Sequence, residues 1–400
     1  MKICIHRGQN QIGGSIIEIS TSNTRIFLDV GIELDEFERI AVPEIEGVFE
    51  GGKNCDAILI SHYHSDHIGL LEFILPEIPI YMGERAYEIY MASARYRGRE
   101  LRFCPEYVYD NEKIKIGDFE ITPFLCDHSS YDSYMYLIES EGKKILYTGD
   151  FRANGRLAYT ELLSKLPEVD VLICEGTTLI REDVKNIAEE KLERIAVEYL
   201  KKHSGPAFIM MSAMNVERMI TAYNIAKKTE RLFLEDIYTA DVARASGIEA
   251  PQPSIENGVR VFMTGGDKQY ERLMEYGKTK IGKKQIAKEP FLMCIRQSMK
   301  KYLEKLNELV SFEDGVLFYA MWKGYQKDED VSRFLDFMKE KGVKVHVLHT
   351  SGHADESTIE QLIADVKPRI IMPIHTENAE WFNRYQEQIE IIDGVATKEI

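Results

Sequence analysis

One short stretch of the chain places four potential metal ligands directly after an apolar strand. The run Ala57–Ile60 leads into Ser61-His62-Tyr63-His64-Ser65-Asp66-His67. Imidazole and carboxylate groups are the usual zinc ligands in sites that activate water, whereas thiolates predominate in closed structural sites. Four such groups so close together cannot all bind one ion comfortably. The simplest interpretation is that two ions are bound, each by two of these ligands. A loop of solvated histidines is the alternative, which this density of ligands disfavours.

Further apolar runs end in residues of the same chemical types. They lead into His128, Asp150, Glu175, the string His349-Thr350-Ser351-Gly352-His353, and His375. Because ligand sites of α/β sheets assemble in the loops beyond the strand ends, we expect one shared site. Asp150 is expected to bridge the two ions. The predicted ligand set comprises His62, His64, Asp66, His67, His128, Asp150 and His375.

The order of elements predicts an α/β protein. The first third consists mainly of strand-like runs, such as Arg25–Asp29 and Phe119–Leu125. From about residue 180, strands alternate with helices, which indicates a parallel sheet. The strand candidates there are Ala207–Met211, Arg231–Leu234, Val259–Met263, Phe291–Ile295 and Gly315–Ala320.

The remaining segments of this part are a surface loop and a terminal strand–helix–strand unit. The Gly- and Lys-rich segment Tyr276–Lys288 predicts a surface loop. The last sixty residues predict strands at Val343–Leu348 and Ile370–Pro373 around a helix at Glu356–Val366. The length of 400 residues allows more than one domain and a sizeable buried core.

The ligand motif resembles a known signature. His62-Tyr63-His64-Ser65-Asp66-His67 is similar to the signature of the metallo-β-lactamase superfamily, and Asp29 matches the early aspartate of that fold. His128, Asp150 and His375 match the remaining metal positions. The resemblance implies an αβ/βα four-layer sandwich with two zinc ions, for which manganese is an alternative. Asp29 is expected to support the ligands rather than to bind metal.

The position of the last ligand predicts an inserted domain. His375 follows Asp150 by 225 residues, far beyond the usual gap in the superfamily. Glu175, the string His349–Ala354 and the string Pro373–Glu377 together resemble the motifs of the β-CASP nucleases. We therefore expect a metallo-β-lactamase domain in two parts, 1–178 and 342–400, interrupted by an inserted α/β (β-CASP) domain at 179–341.

Within this branch the string His349–Ala354 resembles ribonuclease J most closely. The resemblance implies that hydroxide activated by two metal ions attacks an RNA phosphodiester, with Asp66 orienting it. It also implies that His353 is the general acid and that Glu175 fixes the ring of His353. His349 and Ser351 are implied as contacts to a substrate phosphate.

The chain departs from ribonuclease J in three places. Tyr319–Gln326 stands where a Gly-Ser-Gln-Gly-Glu-Pro string is expected, and Thr376 stands where glycine is usual. No C-terminal domain is expected beyond residue 400. These differences concern recognition of the RNA 5′ end, processivity and assembly rather than the metal chemistry.

Charge and composition restrict the partners and the compartment. The 50 basic and 66 acidic side chains give a net charge of −16, which disfavours tight, sequence-blind binding of long duplexes and favours a single strand at a locally positive site. Six scattered cysteines fit a reducing cytoplasm. The apolar runs are too short to span a bilayer and the N-terminus lacks a signal-peptide pattern, so we expect a cytoplasmic protein without a membrane partner. The sequence is compatible with a homo-oligomer.

The sequence therefore predicts a zinc-dependent ribonuclease acting on single-stranded RNA, with endonucleolytic and 5′-exonucleolytic cleavage both open. One alternative is a small-molecule ester, lactone or thioester hydrolase of the same fold. The long insertion and His353 argue against it, because small substrates need neither. A second alternative is a non-catalytic RNA-binding subunit, against which the complete ligand set argues.

Overall fold

The structure is a computed structural model that describes residues 1–34, 40–101, 103–180, 186–265, 267–394 and 397–400. It divides into two compact units. The first unit comprises Met1–Ala94, Gly98–Asn186 and Gly352–Ile400, and the second comprises Ile187–Ser351 together with Arg95–Arg97.

The first unit contains two mixed sheets, and the described strands are numbered here in chain order. The first sheet has the strand order β20-β1-β2-β3-β4-β5-β6. Its antiparallel half runs from β20 to β3, and its parallel half runs from β3 to β6. The strands are β1 (Lys2–Arg7), β2 (Ile16–Ser20), β3 (Arg25–Leu28), β4 (Ala57–Leu59), β5 (Ile80–Gly83), β6 (Glu106–Val108) and β20 (Thr397–Glu399).

The second sheet has the order β19-β18-β11-β10-β9-β8-β7. Strands β10, β11, β18 and β19 are parallel, and β8 has the same direction because it pairs antiparallel to β9. The strands are β7 (Ile114–Ile116), β8 (Phe119–Cys126), β9 (Ser133–Ser140), β10 (Lys143–Tyr147), β11 (Val171–Glu175), β18 (Ile370–Ile374) and β19 (Glu390–Ile391). The carboxyl ends of β8, β10, β11 and β18 therefore lie at one edge.

A buried apolar core lies between these two sheets, formed by Ile17, Ile26 and Leu59 on one side and by Ile138 and Ile173 on the other. A second core joins the outer face of the second sheet to two helices, α3 (Tyr159–Lys165) and α11 (Glu356–Val366). On the first sheet, β4 and β5 are followed by α1 (Ser65–Ile68) and α2 (Glu84–Tyr96). Short 3-10 helices lie at Leu71–Phe73 and Ala379–Tyr385. The predicted α/β sandwich is confirmed.

The second unit is built on one parallel sheet with the order β14-β13-β15-β12-β16-β17 among its described strands. These strands are β12 (Ala207–Met210), β13 (Leu232–Asp236), β14 (Val259–Phe262), β15 (Phe291–Ile295), β16 (Val316–Tyr319) and β17 (Lys344–Val347). Strands β12, β15 and β16 are continuous buried apolar runs, as strands covered on both faces are, whereas β17 at the edge of the sheet is largely exposed or half-buried. All five strand candidates of this region are therefore confirmed.

Helices and short 3-10 segments connect these strands. The helices are α4 (Glu189–Leu200), α5 (Val216–Lys228), α6 (Ile237–Ala245), α7 (Asp267–Met274), α8 (Lys283–Ile286), α9 (Lys300–Asn307) and α10 (Glu329–Glu340). The 3-10 segments are Gly277–Thr279, Gln297–Met299 and Lys323–Lys327.

The compact units divide the chain at different residues from the predicted 178/179 and 341/342 boundaries. Residues 179–180 and 186 belong to the first unit, and residues 342–351 belong to the second. The reason for the second shift is pairing: β17 hydrogen-bonds to β16 in the parallel sheet, with Tyr319 opposite Val347. An apolar strand by itself does not indicate which sheet it joins.

Candidate metal centre

The strand ends of the first unit bring the predicted ligands to one edge. His62 and His64 follow β4, and Asp66 and His67 lie in α1, the short helix that begins after them. The other predicted ligands follow strands of the second sheet: His128 comes after β8, Asp150 after β10 and His375 directly after β18. Glu175 is the last residue of β11.

The first donor group consists of His62, His64 and His128. Nδ1 of His64 lies 3.2 Å from Nε2 of His62 and 3.1 Å from Nε2 of His128. Three ring nitrogens therefore converge on one point.

The second donor group consists of Asp66, His67, Asp150 and His375. Oδ2 of Asp66 lies 3.1 Å from Nε2 of His375 and 3.9 Å from Nε2 of His67. All four side chains are buried.

Asp150 connects the two groups. Its Oδ2 lies 3.3 Å from Nε2 of His67 in the second group. The same oxygen lies 3.7 Å from Nε2 of His62 and 3.9 Å from Nε2 of His128 in the first group. A carboxylate in this position can contribute an oxygen to ions in both groups.

The donors fit divalent cations. Four carboxylates, those of Asp29, Asp66, Asp150 and Glu175, are buried in and around the cluster, and burying charge is costly without a compensating cation. Nε2 of His67 and Oδ1 of Asp150 are buried without a hydrogen-bond partner in the described structure. Imidazole and carboxylate donors without thiolates suit zinc or manganese in a site open to water.

Hydrogen bonds from outside the cluster orient its rings. Nδ1 of His67 donates to Oδ2 of Asp29 at 2.7 Å, which leaves Nε2 for a metal. Asp29 also accepts hydrogen bonds from the backbone and hydroxyl of Ser61 and from the hydroxyl of Tyr147. Asp29 therefore holds the ring of His67, which is a predicted ligand.

The other rings have similar partners. Nδ1 of His128 lies 2.5 Å from the carbonyl oxygen of Gly352, and Nδ1 of His375 lies 2.7 Å from Oγ1 of Thr177. The Thr177 hydroxyl itself donates to the carbonyl of His375, so it accepts from the ring. In both rings Nε2 is left for the donor group.

Burial keeps the rings of the first group neutral. It lowers the pKa of His62 and His128 well below the usual range, and the neighbouring imidazoles add to this effect. The pKa of His64 is lowered to about 4, chiefly by burial. Neutral imidazole is the form that binds metal.

The second group is electrostatically different. Burial disfavours the charged form of His67, but the charges of Asp150 and Asp29 outweigh it and raise the pKa of this ring. Burial would raise the pKa of Asp150, yet the surrounding imidazoles, His375 first, hold it well below its usual range. Positive charge is therefore favoured where a second ion would bind.

His353 lies beside the second group. Its Nδ1 is 3.2 Å from Oε2 of Glu175 and 3.6 Å from Oδ2 of Asp150. Burial opposes its protonation, but the charges of Glu175 and Asp150 raise its pKa to about 9. Glu175 is held in turn by the backbone N–H groups of Phe151 and Thr177. The side chain of His353 remains 23% exposed, so it is accessible from solvent.

The structure adds supporting residues that the sequence interpretation missed. A Cβ at Gly31 would lie 1.7 Å from the carbonyl oxygen of Asp66, so only glycine lets these loops approach. Asp127 and Arg152 form a buried ion pair that joins the loops carrying His128 and Asp150. Asp127 and Arg152 lie close to the predicted ligands His128 and Asp150 in the sequence, and this proximity could have identified them.

Two site residues adopt the left-handed backbone region, with φ of 58° at Asp29 and 50° at His375. Such conformations cost free energy in non-glycine residues and concentrate at functional sites. The backbone N–H of His375 donates to the carbonyl of Gly8 at 2.7 Å, which helps to hold this conformation.

His349 and Ser351 belong to the second unit, in the loop that follows β17. Between them, Oγ1 of Thr350 accepts a hydrogen bond from the backbone N–H of Ile187. Their role as substrate contacts stays a prediction.

Comparison with known families agrees with this architecture. The family description "Beta-lactamase superfamily domain" matches residues 24–234, more than half of the chain. A second description, "Zn-dependent metallo-hydrolase RNA specificity domain", matches residues 338–392. The chain therefore belongs to the metallo-β-lactamase superfamily.

Individual relatives show which members of the superfamily the chain resembles. Ribonuclease J 1 of Streptococcus pyogenes serotype M3 is 22% identical over 393 residues, which cover 92% of this chain and 67% of that protein. An RNase J-like protein of Methanocaldococcus jannaschii is 25% identical over 410 residues, which cover 93% of this chain and 91% of that protein. The resemblance to ribonuclease J is thus confirmed.

A solved structure has the same fold along the whole chain. It is the crystal structure of a protein of unknown function from Enterococcus faecalis V583, with a TM-score of 0.80 and 21% identity, covering 100% of this chain and 99% of that one. Among the described helices, none is both long enough and apolar enough to cross a membrane.

Proposed function

We propose that this protein is a zinc-dependent ribonuclease that hydrolyses RNA phosphodiester bonds. The observation that carries the proposal is the pair of donor groups joined by Asp150, with the His353–Glu175 pair beside them. The relatives named ribonuclease J and the RNA-specificity family match support RNA as the substrate.

The proposed ligands are His62, His64 and His128 for one ion and Asp66, His67 and His375 for the other, with Asp150 shared. Two bound divalent ions supply Lewis acidity, which makes water a better nucleophile at neutral pH and offsets phosphate charge. Zinc is proposed over manganese because imidazole dominates the donor set.

Asp66 is proposed to orient the attacking water. Its Oδ2 lies 3.1 Å from Nε2 of His375 in the same donor group, and its side chain is 12% exposed, so it is the member of the second group closest to solvent. In-line attack on phosphorus requires an acceptor held at a fixed position, and binding of Asp66 to the ion of this group would provide it.

His353 is proposed to protonate the departing ribose oxygen. Its hydrogen bond to Glu175 fixes the ring, and the nearby carboxylates favour the protonated form. Glu175 hydrogen-bonds to His353 and to the backbone of Phe151 and Thr177, so we assign it a positioning role. His349 and Ser351 are proposed to contact a substrate phosphate.

The test uses RNAs labelled at a 5′-monophosphate or a 5′-hydroxyl end. Metal-loaded protein should cleave at least one of them, and release of mononucleotides would distinguish 5′-exonucleolytic from internal cleavage. Asp66→Asn should abolish cleavage, whereas Asp118→Asn, which alters an exposed carboxylate bonded to Thr21 and Asn23, should not.

The proposal fails if neither RNA is cleaved while a lactone or thioester is hydrolysed in an Asp66-dependent manner. RNA binding without any hydrolysis by fully metal-loaded protein would instead indicate a non-catalytic RNA-binding subunit.

A further inference from the structure

The segment that follows β16 presents two exposed aromatic rings in the second unit. Trp322 is 44% exposed and Tyr325 is 52% exposed. Their ring centroids lie 5.4 Å apart at an interplanar angle of 87°. We infer that this pair is a stacking platform for a base of single-stranded RNA, an inference that rests on the proposed function.

The platform is held in a hydrogen-bonded turn. The carbonyl oxygen of Trp322 accepts hydrogen bonds from the backbone N–H of Tyr325 at 3.1 Å and from the hydroxyl of Tyr319 at 3.3 Å. A Cβ at Gly324 would lie 2.2 Å from carbons of the Trp322 ring, so the ring lies directly against the glycine backbone. Because the ring is already ordered, binding a base on its exposed surface loses little side-chain entropy.

The platform lies at the carboxyl edge of a parallel sheet, where ligands of such sheets bind. Buried Arg218 donates from Nη1 to the carbonyl of Ala320 at 3.1 Å and to that of Leu348 at 3.0 Å. Ala320 is the first residue of the segment that carries Trp322 and Tyr325, and Leu348 directly precedes the loop of His349 and Ser351. The segment that carries the stacking platform and the proposed phosphate-binding loop therefore start at two carbonyls that the same arginine binds.

The charges around the two rings favour a nucleic acid strand. Lys323 and Lys327 flank Tyr325, are exposed, and form no ion pair within the described part of the chain. Exposed aromatic rings combined with ammonium groups are how proteins bind single strands without sequence preference.

The acidic residues that follow are engaged elsewhere. Asp328 caps α10 by accepting from the backbone of Asp330 and Val331. Glu329 and Asp330 pair with Arg333. Residues 323–333 carry three basic and three acidic side chains, so the segment has no net charge. Only the two lysines flank Tyr325 directly, and their position beside the rings disfavours a purely apolar partner.

Tryptophan fluorescence provides a direct test, because the chain has only two tryptophans. The other one, Trp381, packs against Arg384 in the first unit. In metal-loaded Trp381→Phe protein, a nuclease-resistant 2′-O-methyl phosphorothioate RNA octamer should quench Trp322 emission in a saturable manner. Against the wild-type chain, Trp322→Ala should weaken binding of the same octamer about 10-fold and raise KM for RNA with kcat unchanged.

Two further variants sharpen the test. Trp322→Phe should bind within about threefold of wild type because it keeps an aromatic face. Gly324→Ala should displace the ring and weaken binding although no contact group is lost. Tyr270→Ala, which removes a tyrosine of 55% exposure from the same unit, should leave affinity unchanged. Thermal unfolding confirms that each variant is folded.

Unchanged affinity in folded Trp322→Ala, with RNA still cleaved, overturns this inference and leaves the proposed function intact. Loss of self-association in Trp322→Ala, with RNA affinity unchanged, also overturns it, because the face would then bind a second copy. Wild-type protein that neither binds nor cleaves RNA removes the proposed function and the inference together.

Discussion

Both imidazoles of the second donor group have a hydrogen-bond partner on Nδ1, the ring nitrogen that faces away from the group. His67 donates to Asp29, and His375 donates to Thr177. These bonds select the tautomer that leaves Nε2 for a metal, so little ring reorientation accompanies binding. Metal affinity therefore depends on residues that touch no ion.

Asp29→Asn tests this dependence. The amide keeps the size of the side chain but removes the charge that orients His67, so we expect metal affinity to fall about 10–100-fold. Competition with a chromogenic chelator measures the change, and the exposed variant Asp118→Asn should behave as wild type. Wild-type affinity in folded Asp29→Asn would show that His67 needs no such support.

His353→Gln should lower kcat for RNA cleavage by about 10²–10⁴ while both metals are retained, because the proton donor is lost. Glu175→Gln should lower kcat less, and the double variant should be no worse than His353→Gln, because Glu175 acts through His353. The matched control is His203→Ala, whose ring stacks on Tyr199 within the second unit and belongs to neither donor group. Metal loss in His353→Gln, or additive effects in the double variant, would contradict these roles.

At the scale of elements, one buried arginine joins several parts of the second unit. Arg218 of α5 pairs bidentately with Glu189 of α4 and binds the carbonyls that follow β16 and β17. Both side chains are almost fully buried. Removing Arg218 would leave the buried carboxylate of Glu189 without its counter-charge, although Thr221 still donates to it, and would take a donor from two carbonyls.

Arg218→Leu should therefore destabilise the second unit by about 3–5 kcal/mol. Urea unfolding monitored by hydrogen exchange of β16 and β17 measures the effect. Arg333→Leu, which breaks exposed pairs with Glu329 and Asp330, should cost no more than about 1 kcal/mol. Equal effects of the two substitutions would show that the buried pair contributes nothing special.

A second polar cluster connects β1, β2 and β3. Glu18 accepts from Nε2 of His6 at 3.0 Å and from Nη2 of Arg25 at 2.7 Å. Burial opposes ionisation of both His6 and Glu18, but hydrogen bonds outweigh it. The hydrogen bond with Cys4 first and that with Glu18 second raise the pKa of His6 to about 9, and the hydrogen bonds from His6 and Arg25 lower the pKa of Glu18 to about 2.

These shifts define a pH window for stability. His6 contributes fully below its ordinary pKa of about 6.5 and loses its contribution as the pH rises through about 9, whereas Glu18 contributes fully above about 4.5 and loses its contribution as the pH falls through about 2. The Tm difference between wild type and Glu18→Gln should therefore peak at about pH 5–6 and shrink towards pH 10. The exposed control Glu120→Gln should show a small, flat difference. A difference that grows towards alkaline pH would contradict this assignment.

Elements with a clear periodic pattern could be predicted from the sequence, but long-range pairing could not. The helix Glu356–Val366 has the predicted bounds, because Asp355 caps its start and an amphipathic run follows. In contrast, α6 was missed, since it begins directly at the end of β13, with Asp236 as its cap. The predicted loop Tyr276–Lys288 contains the short helix α8 and the buried residues Tyr276 and Ile286, so that prediction was wrong.

The candidate site likewise combines features that could be predicted from the sequence with features that could not. That these side chains come together could be predicted because each group follows an apolar strand. The positive φ of His375, the approach at Gly31 and the hydrogen bond from Thr177 could not, because they depend on which strands become neighbours.

At the scale of the whole molecule, the net charge of −16 has to be reconciled with a polyanionic substrate. Two divalent ions would offset only four of these charges. Long-range attraction is therefore unavailable, and affinity must come from a few local contacts together with base stacking. An acidic surface also repels a duplex that offers phosphates without exposed bases.

The salt dependence of RNA binding distinguishes this arrangement from a basic groove. Each neutralised phosphate of a single strand contributes about −0.7 to the slope of log K against log salt concentration. We expect a slope between about −1 and −3 for an RNA octamer, corresponding to roughly two to four phosphate contacts. Removing two of these contacts in Lys323→Gln/Lys327→Gln should make the slope shallower by about 1.4, while Trp322→Ala should lower affinity equally at every salt concentration because stacking releases no counterions. A slope steeper than about −6, or tight binding of a long RNA duplex, would instead require an extended basic surface and would contradict local recognition.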